Sequence, residues 1–187
     1  MRMKLYLLLA MSLIVLGGTA MAQDEAPKAE IFGGFSYMRT PANNNVAGWN
    51  GQAVFNAKKW FGIAADVAGH YQTADSVKGT SSASLTSFLF GPQVADRAGR
   101  VTGFAHALFG FAHSGDGFRL YGVNVTGSHT DFAMAFGGGV DANVSDKAAI
   151  RVFQVDFEKI RAENPINHQI QGRNAFRLSM GIVIKIK

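Results

Sequence analysis

The last fifteen residues of the chain, RNAFRLSMGIVIKIK, alternate. Phe176, Leu178, Met180, Ile182, Ile184 and Ile186 take every second position, with Arg177, Ser179, Gly181, Val183 and Lys185 between them. Successive side chains of a strand point to opposite faces, so this run has one continuous apolar face and one that is small, polar or cationic. Ordinary globular strands are about 5–6 residues long, whereas a strand tilted across a bilayer needs about 9–11. The pattern predicts a membrane-crossing strand that closes a barrel. In a soluble sandwich the same run would be an exposed apolar ribbon, inviting aggregation.

Seven earlier stretches carry the same signal to different degrees: 30–39, 47–57, 62–71, 84–94, 100–112, 130–143 and 148–158. The clearest are the second (Trp49, Gly51, Ala53, Phe55 against Asn50, Gln52, Asn56) and the sixth (Phe132, Met134, Phe136 against Ala133, Ala135, Asp141, Asn143). In the third, Ile63, Ala65, Val67 and Tyr71 oppose Asp66 and His70. The fourth offers Phe88 and Phe90 to lipid, and its Pro92, lacking a ladder donor, belongs near a strand end or a bulge. The first is weakly patterned and the fifth is apolar on both faces, so period alone orients neither. In the seventh, Gln154, Asp156 and Glu158 share one face and Arg151 falls on the wrong parity. A bulge near Val152-Phe153 brings it inside.

The connections alternate between long or middling (40–46, 72–83, 113–129, 159–172) and short (58–61, 95–99, 144–147). Outer-membrane barrels have short periplasmic turns, longer extracellular loops and an even strand number. The expected fold is all-β, an eight-stranded antiparallel up-and-down transmembrane barrel with both termini in the periplasm. Trp60 and Phe61, beside one short turn, suit the membrane interface.

Residues 1–22 read as a secretory signal peptide: Arg2 and Lys4, an apolar stretch through Leu16, then Ala20-Met21-Ala22 as a small-x-small cleavage site. The barrel domain is then 23–187. Past the leader no apolar run reaches the roughly 20 residues of a spanning helix, and in lipid only helices and closed barrels satisfy every backbone polar group. The chain has no cysteine, so no disulfide framework staples it. Its formal charge of +5 is too small and too scattered for nucleic acid, the more so because Arg2 and Lys4 leave with the leader. The 22 glycines and 15 phenylalanines suit a crowded interior inside an aromatic belt.

On Gly33-Gly34-Phe35-Ser36-Tyr37, Phe88-Leu89-Phe90-Gly91-Pro92, Ala133 to Gly139, Ile150-Arg151-Val152 and Phe176 to Ile186, the chain resembles the small outer-membrane β-barrel family of OmpA-transmembrane-domain-like and OmpX-like proteins. The likeness spans essentially the whole expected barrel domain, and its motifs indicate architecture more than activity. It implies a cell outer-membrane location in a Gram-negative envelope. Implied partners are outer-membrane lipid and lipopolysaccharide, the barrel-assembly machinery, and an extracellular ligand at the loops. Two departures stand out: Ile186-Lys187 where the family usually ends near an aromatic, and no following peptidoglycan-binding domain.

An eight-stranded barrel is just wide enough for its side chains to fill. The expected inward polar set is Asn50, Gln52, Asn56, Asp66, His70, Asp141, Asn143, Arg151, Gln154, Asp156, Glu158, Arg177 and Lys185, and buried charges require partners. An internal salt-bridge network follows, with a proton or ion path as the functional alternative. His70 and Asp66, four residues apart, share a face but lie about 13 Å apart along a strand, whereas a nucleophile and its base need about 3 Å. Ser36 and Ser87 are available on other strands, and nothing in the sequence selects either. His113, His129 and His168 fall in loops on one side without metal-ligand spacing, and Gly137-Gly138-Gly139 lies in a strand with no following helix to cradle phosphate. No catalytic residue, metal or cofactor is therefore assigned. The expected function is a structural outer-membrane barrel with a side-chain-filled polar interior and loops for envelope integrity or surface interaction. The alternatives are a lipid A-modifying barrel enzyme, a soluble periplasmic lipid-binding calyx and a small porin-like channel.

Overall fold

A computed structural model of the chain describes residues 26–39, 45–76, 79–120, 123–163 and 170–187. The expected leader, 1–22, lies outside them. Eight strands follow one another: β1 (Ala29–Arg39), β2 (Asn45–Lys58), β3 (Phe61–Ser76), β4 (Gly79–Ala98), β5 (Val101–Leu120), β6 (Val123–Ser145), β7 (Ala148–Glu163) and β8 (Ile170–Ile186). Each pairs antiparallel with its sequence neighbours, and β1 meets β8 through pairs such as Phe35 with Met180 and Gly33 with Ile182. The fold is the expected closed up-and-down barrel.

Alternation sets the facing. On β8, Ile182 is 61% exposed and Arg177 0%. The two orientations left open by the sequence follow the same rule. On β1, Ile31 and Phe35 look out while Glu30, Phe32, Ser36 and Met38 are buried. On β5, Val101, Phe109 and Phe111 look out while Thr102, Phe104, His106, Leu108 and Ala112 fill the interior. Outward rings meet across neighbouring strands, Phe88 with Phe111, Phe109 with Phe136 and Phe157 with Phe176, at centroid separations of 5.7, 5.7 and 5.4 Å. Such pairs add packing beyond the ladder itself.

Three connections at one end are two-residue turns, at 59–60, 99–100 and 146–147. Gly99 has φ of 58°, a left-handed conformation that glycine adopts without a Cβ clash. At the other end three of the expected loops are largely strand, while 40–44 of the first lie outside the described residues. β3 and β4 pair out to Ser76 and Gly79, and β5 and β6 out to Leu120 and Val123. The loop expectations for 72–83 and 113–129 are thus corrected to extended hairpins, and 159–172 to strand ends flanking 164–169, which lie outside the described residues. These segments rise past the apolar belt, where both faces of the sheet meet water. Hydropathy there no longer alternates, although the backbone ladder continues.

Two local features concern the ladder. The expected bulge is present: β6 pairs Val140 with Phe153 and Asp141 with Arg151, skipping Val152. Val152 and Phe153 both face out, and Arg151 turns inward. Pro92 sits well inside β4, away from any strand end or bulge. It pairs with Ile63 of β3, while the β4–β5 pairs lapse at Gly91 and Pro92 and resume in unchanged register at Gln93 with His106. A gap in one ladder accommodates the missing donor.

Candidate functional site

Many of the interior polar residues join a bonded network built around Asp156 of β7. Arg177 of β8, paired directly with Asp156 in the ladder, donates to its Oδ2 from Nε at 3.0 Å and Nη2 at 2.8 Å. Its Nη1 also stands 2.8 Å from Asp66 Oδ1 of β3 as an ion pair without hydrogen-bond alignment. Asn50 Nδ2 donates to the other Asp66 oxygen at 2.9 Å. Glu158 lies in the same neighbourhood as Arg177, Asp66 and Asp156, with the Ser87 hydroxyl beside it, and neither of its carboxylate oxygens receives a hydrogen bond of regular geometry among the described residues.

Arg151 supplies the second cation. Its Nε and Nη2 donate to the two oxygens of Asp141 at 2.8 and 3.2 Å. Its Nη1 donates to Gln52 Oε1 at 3.0 Å and to Gln154 Oε1 at 2.6 Å. The guanidinium carbon lies 4.2 Å from the ring centroids of both Phe32 and Phe104. Arginine has no acceptor, so it fixes both glutamine amides with nitrogen pointing onward. Gln154 Nε2 then donates to Asp156 Oδ2 at 2.8 Å. Gln52 Nε2 donates to His106 Nδ1 at 3.4 Å, which leaves the His106 Nε2–H to donate to Asp156 Oδ1 at 2.7 Å. Two routes from Arg151 and one from Arg177 converge on a single carboxylate.

Gly137 and Gly139 make room for this convergence. A Cβ at Gly137 would collide with Asp156 Oδ1, and one at Gly139 would come within 2.9 Å of the Phe104 ring. The glycine run is a spacer inside the wall.

Of the sequence-derived inward set, Asn50, Gln52, Asp66, His70, Asp141, Arg151, Gln154, Asp156, Glu158 and Arg177 are buried in the lumen. Asn56, Asn143 and Lys185 are half-buried toward the short-turn end, where Lys185 Nζ donates to Asn143 Oδ1 at 2.5 Å. Arg97 closes the same mouth: Nη2 donates to Glu30 Oε1 and to Asn56 Oδ1, each at 3.1 Å, and Nη1 to the Lys59 carbonyl. The sequence reading passed over His106, which the two-faced apolarity of β5 conceals. Its parity with Thr102 and Ser114, also buried, was the available signal. Glu30, Gln93 and Ser179 were missed likewise.

His70 does find a hydroxyl. Ser36 Oγ of β1 is 3.0 Å from His70 Nε2, reaching across Gly48, which pairs with both residues and has no side chain to intervene. Ser179 Oγ donates to Ser36 Oγ at 3.2 Å. This is nucleophile-and-base distance, yet a catalytic triad also requires a carboxylate on the far imidazole nitrogen. His70 Nδ1 has no hydrogen-bond partner among the described residues, and all three side chains are sealed inside the wall. The arrangement is a hydrogen-bonded relay within the packing. His113 and His129 lie in β5 and β6 rather than in loops; His113 bonds Thr130 at 2.9 Å and His129 meets Asp131 at 3.2 Å. His168 lies outside the described residues.

With this geometry in hand, the comparison with solved structures is direct. Neisserial surface protein A matches with a TM-score of 0.65 at 12% identity, covering 87% of this chain and 100% of that one. The fold is that of the small outer-membrane barrels. Ail, the attachment invasion locus protein of Yersinia pestis, matches with a TM-score of 0.57 at 17% identity, covering 85% of this chain and 99% of that one. Ail is also solved in complex with the heparin analogue sucrose octasulfate. No protein-family model matches the sequence, and the search of curated proteins gives no significant match.

Proposed function

We propose that this chain is a structural outer-membrane barrel with a sealed interior, whose protruding hairpins are its working surface. In this reading residues 1–22 are a cleaved leader, both termini and the three tight turns face the periplasm, and the barrel-assembly machinery inserts the mature domain. Outer-membrane lipid and lipopolysaccharide contact the apolar belt. The observation that carries the reading is the contrast between an outer wall of isoleucine, valine and phenylalanine and an interior occupied by bonded ionic side chains. A calyx for apolar ligands would invert that contrast. An open pore requires a lumen that the Arg151–Asp156–Arg177 network instead occupies. A lipid-modifying enzyme requires a reactive group in contact with lipid, and Ser36 and His70 are interior.

Surface interaction is supported by the hairpins. Above the belt, residues 71–73 of β3 do not pair with the facing residues 45–47 of β2, and residues 130–131 of β6 do not pair with 162–163 of β7. Free backbone edges of this kind pair with extended segments of other proteins. That Ail is named for attachment and invasion accords with a surface role for this fold.

Three measurements test the reading. The refolded protein is expected to fractionate with outer membranes and to change gel mobility on boiling, and in planar bilayers to give no large steady current. Water solubility without detergent would end the membrane assignment, and a stable conductance would end the sealed interior.

A further inference from the structure

The end of the barrel bearing the tight turns is basic all the way round. Its two inward cations have partners already described, Arg97 with Glu30 and Lys185 with Asn143. Five others, Lys28, Lys58, Lys59, Arg100 and Lys147, are exposed and make no ion pair among the described residues. They are spread over the β2–β3, β4–β5 and β6–β7 turns and the start of β1, so no sector of the rim lacks one. Three acids stand nearby without offsetting them: Glu30 is committed to Arg97, Asp146 stands 3.7 Å from Lys187, and Asp96 is a single exposed carboxylate against the five cations.

Four of the five, all but Lys28, sit beside an outward apolar side chain. Trp60 is 58% exposed next to Lys59, with Lys58 Nζ 5.8 Å from its ring centroid. Val101 follows Arg100, and Val144 stands one turn before Lys147. Resting on the proposed membrane placement, we infer that this rim is a binding collar for anionic phospholipid headgroups in the leaflet at the short-turn end. A globular acidic partner would call for charge on one side. A continuous ring, stacked directly on the apolar belt, fits a partner that surrounds the barrel and presents acyl chains below phosphates. Indole and ammonium groups at the same level are what an interface of that kind accepts.

The test uses the full barrel in phosphatidylcholine nanodiscs carrying either spin-labelled phosphatidylglycerol or spin-labelled phosphatidylcholine. The expected result is a preference of about fivefold for the anionic label in the motionally restricted shell, the scale of one headgroup meeting one basic side chain. Salt at about 0.5 M, by screening, reduces it toward unity. Lys28→Gln, Lys58→Gln, Lys59→Gln, Arg100→Gln and Lys147→Gln together abolish it while leaving the heat-dependent gel shift intact. A control with Arg119→Gln, Arg161→Gln and Arg173→Gln at the opposite end keeps the preference. Equal affinity for both labels, or loss of selectivity only in the control, overturns the collar and leaves the membrane barrel standing. Absence of any restricted lipid overturns both.

Discussion

Two arginines lie in this lumen, both about as buried as a side chain can be, and their surroundings differ in charge. Arg151 has one carboxylate, Asp141, held by a two-point fork, with two amides and two aromatic rings completing its shell. Arg177 has three carboxylates around it: Asp156, Asp66 and Glu158. The first site is electrically balanced and sterically clamped. The second is a lone cation holding mutually repelling acids together. Burial alone is therefore a poor guide to what a charge contributes, because removing a cation costs most where it leaves several acids facing one another.

The largest effect is expected from Arg177→Met. Asp156 keeps its Gln154 and His106 donors and Asp66 its Asn50 donor, but three mutually repelling interior carboxylates lose their guanidinium, so a loss of about 3–5 kcal/mol follows, read as an earlier midpoint in urea unfolding of the micelle-bound barrel. A loss below about 1 kcal/mol would mean that the acids are balanced by something other than Arg177. Arg151→Met is expected to cost less, about 2–3 kcal/mol, since one carboxylate is orphaned and the methionine still packs between Phe32 and Phe104. If the two variants rank the other way, the contrast between the sites is wrong.

Arg151→Lys sharpens the same point with charge held constant. Lysine keeps the Asp141 attraction but lacks a planar fork for two carboxylate oxygens and two amides, and it stacks less well on rings. A loss of about 1–2 kcal/mol is expected, together with altered imidazole NMR signals from His106, whose tautomer depends on Gln52 as Arg151 orients it. Unchanged His106 resonances would show that the amide relay does not transmit orientation.

Much of this was legible from residue order, for a physical reason. Lipid imposes a strict two-residue period, so Phe176 to Ile186 displays its facing on sight, and the parity break at Arg151 betrays the bulge. The β5 strand hides His106 because Phe104, Leu108 and Ala112 pack inward as readily as Phe109 and Phe111 face lipid. The hairpins above the belt escaped for the converse reason: serine, threonine and glycine at 79–84 and 113–117 carry no apolar period once both faces are wet. Partners were the least legible. Parity tells which face a side chain takes, whereas meeting across the lumen depends on height, and height is set by register around the closed barrel. Nothing local in the sequence links Ser36 to His70 or Gln52 to His106.

The smallest effect is the most discriminating. Glu158 brings a carboxylate into a region where two guanidinium groups already face Asp66, Asp141 and Asp156, with the Ser87 hydroxyl beside it but no hydrogen bond of regular geometry to either oxygen among the described residues. Glu158→Gln keeps the shape and withdraws the charge, so it relieves repulsion against Asp66 and Asp156 without breaking a bond in the network. Unlike almost any other substitution of a fully buried ionic residue, it is expected to be neutral or to stabilise by up to about 1 kcal/mol, in the same urea titration. It should also soften the penalty of Arg177→Met, since the double variant strands two acids where the single strands three. Non-additivity of that sign places Glu158 and Arg177 in one electrostatic unit. Strict additivity, or a destabilised Glu158→Gln, would instead make Glu158 a bonded member of the network and remove the asymmetry between the two arginines.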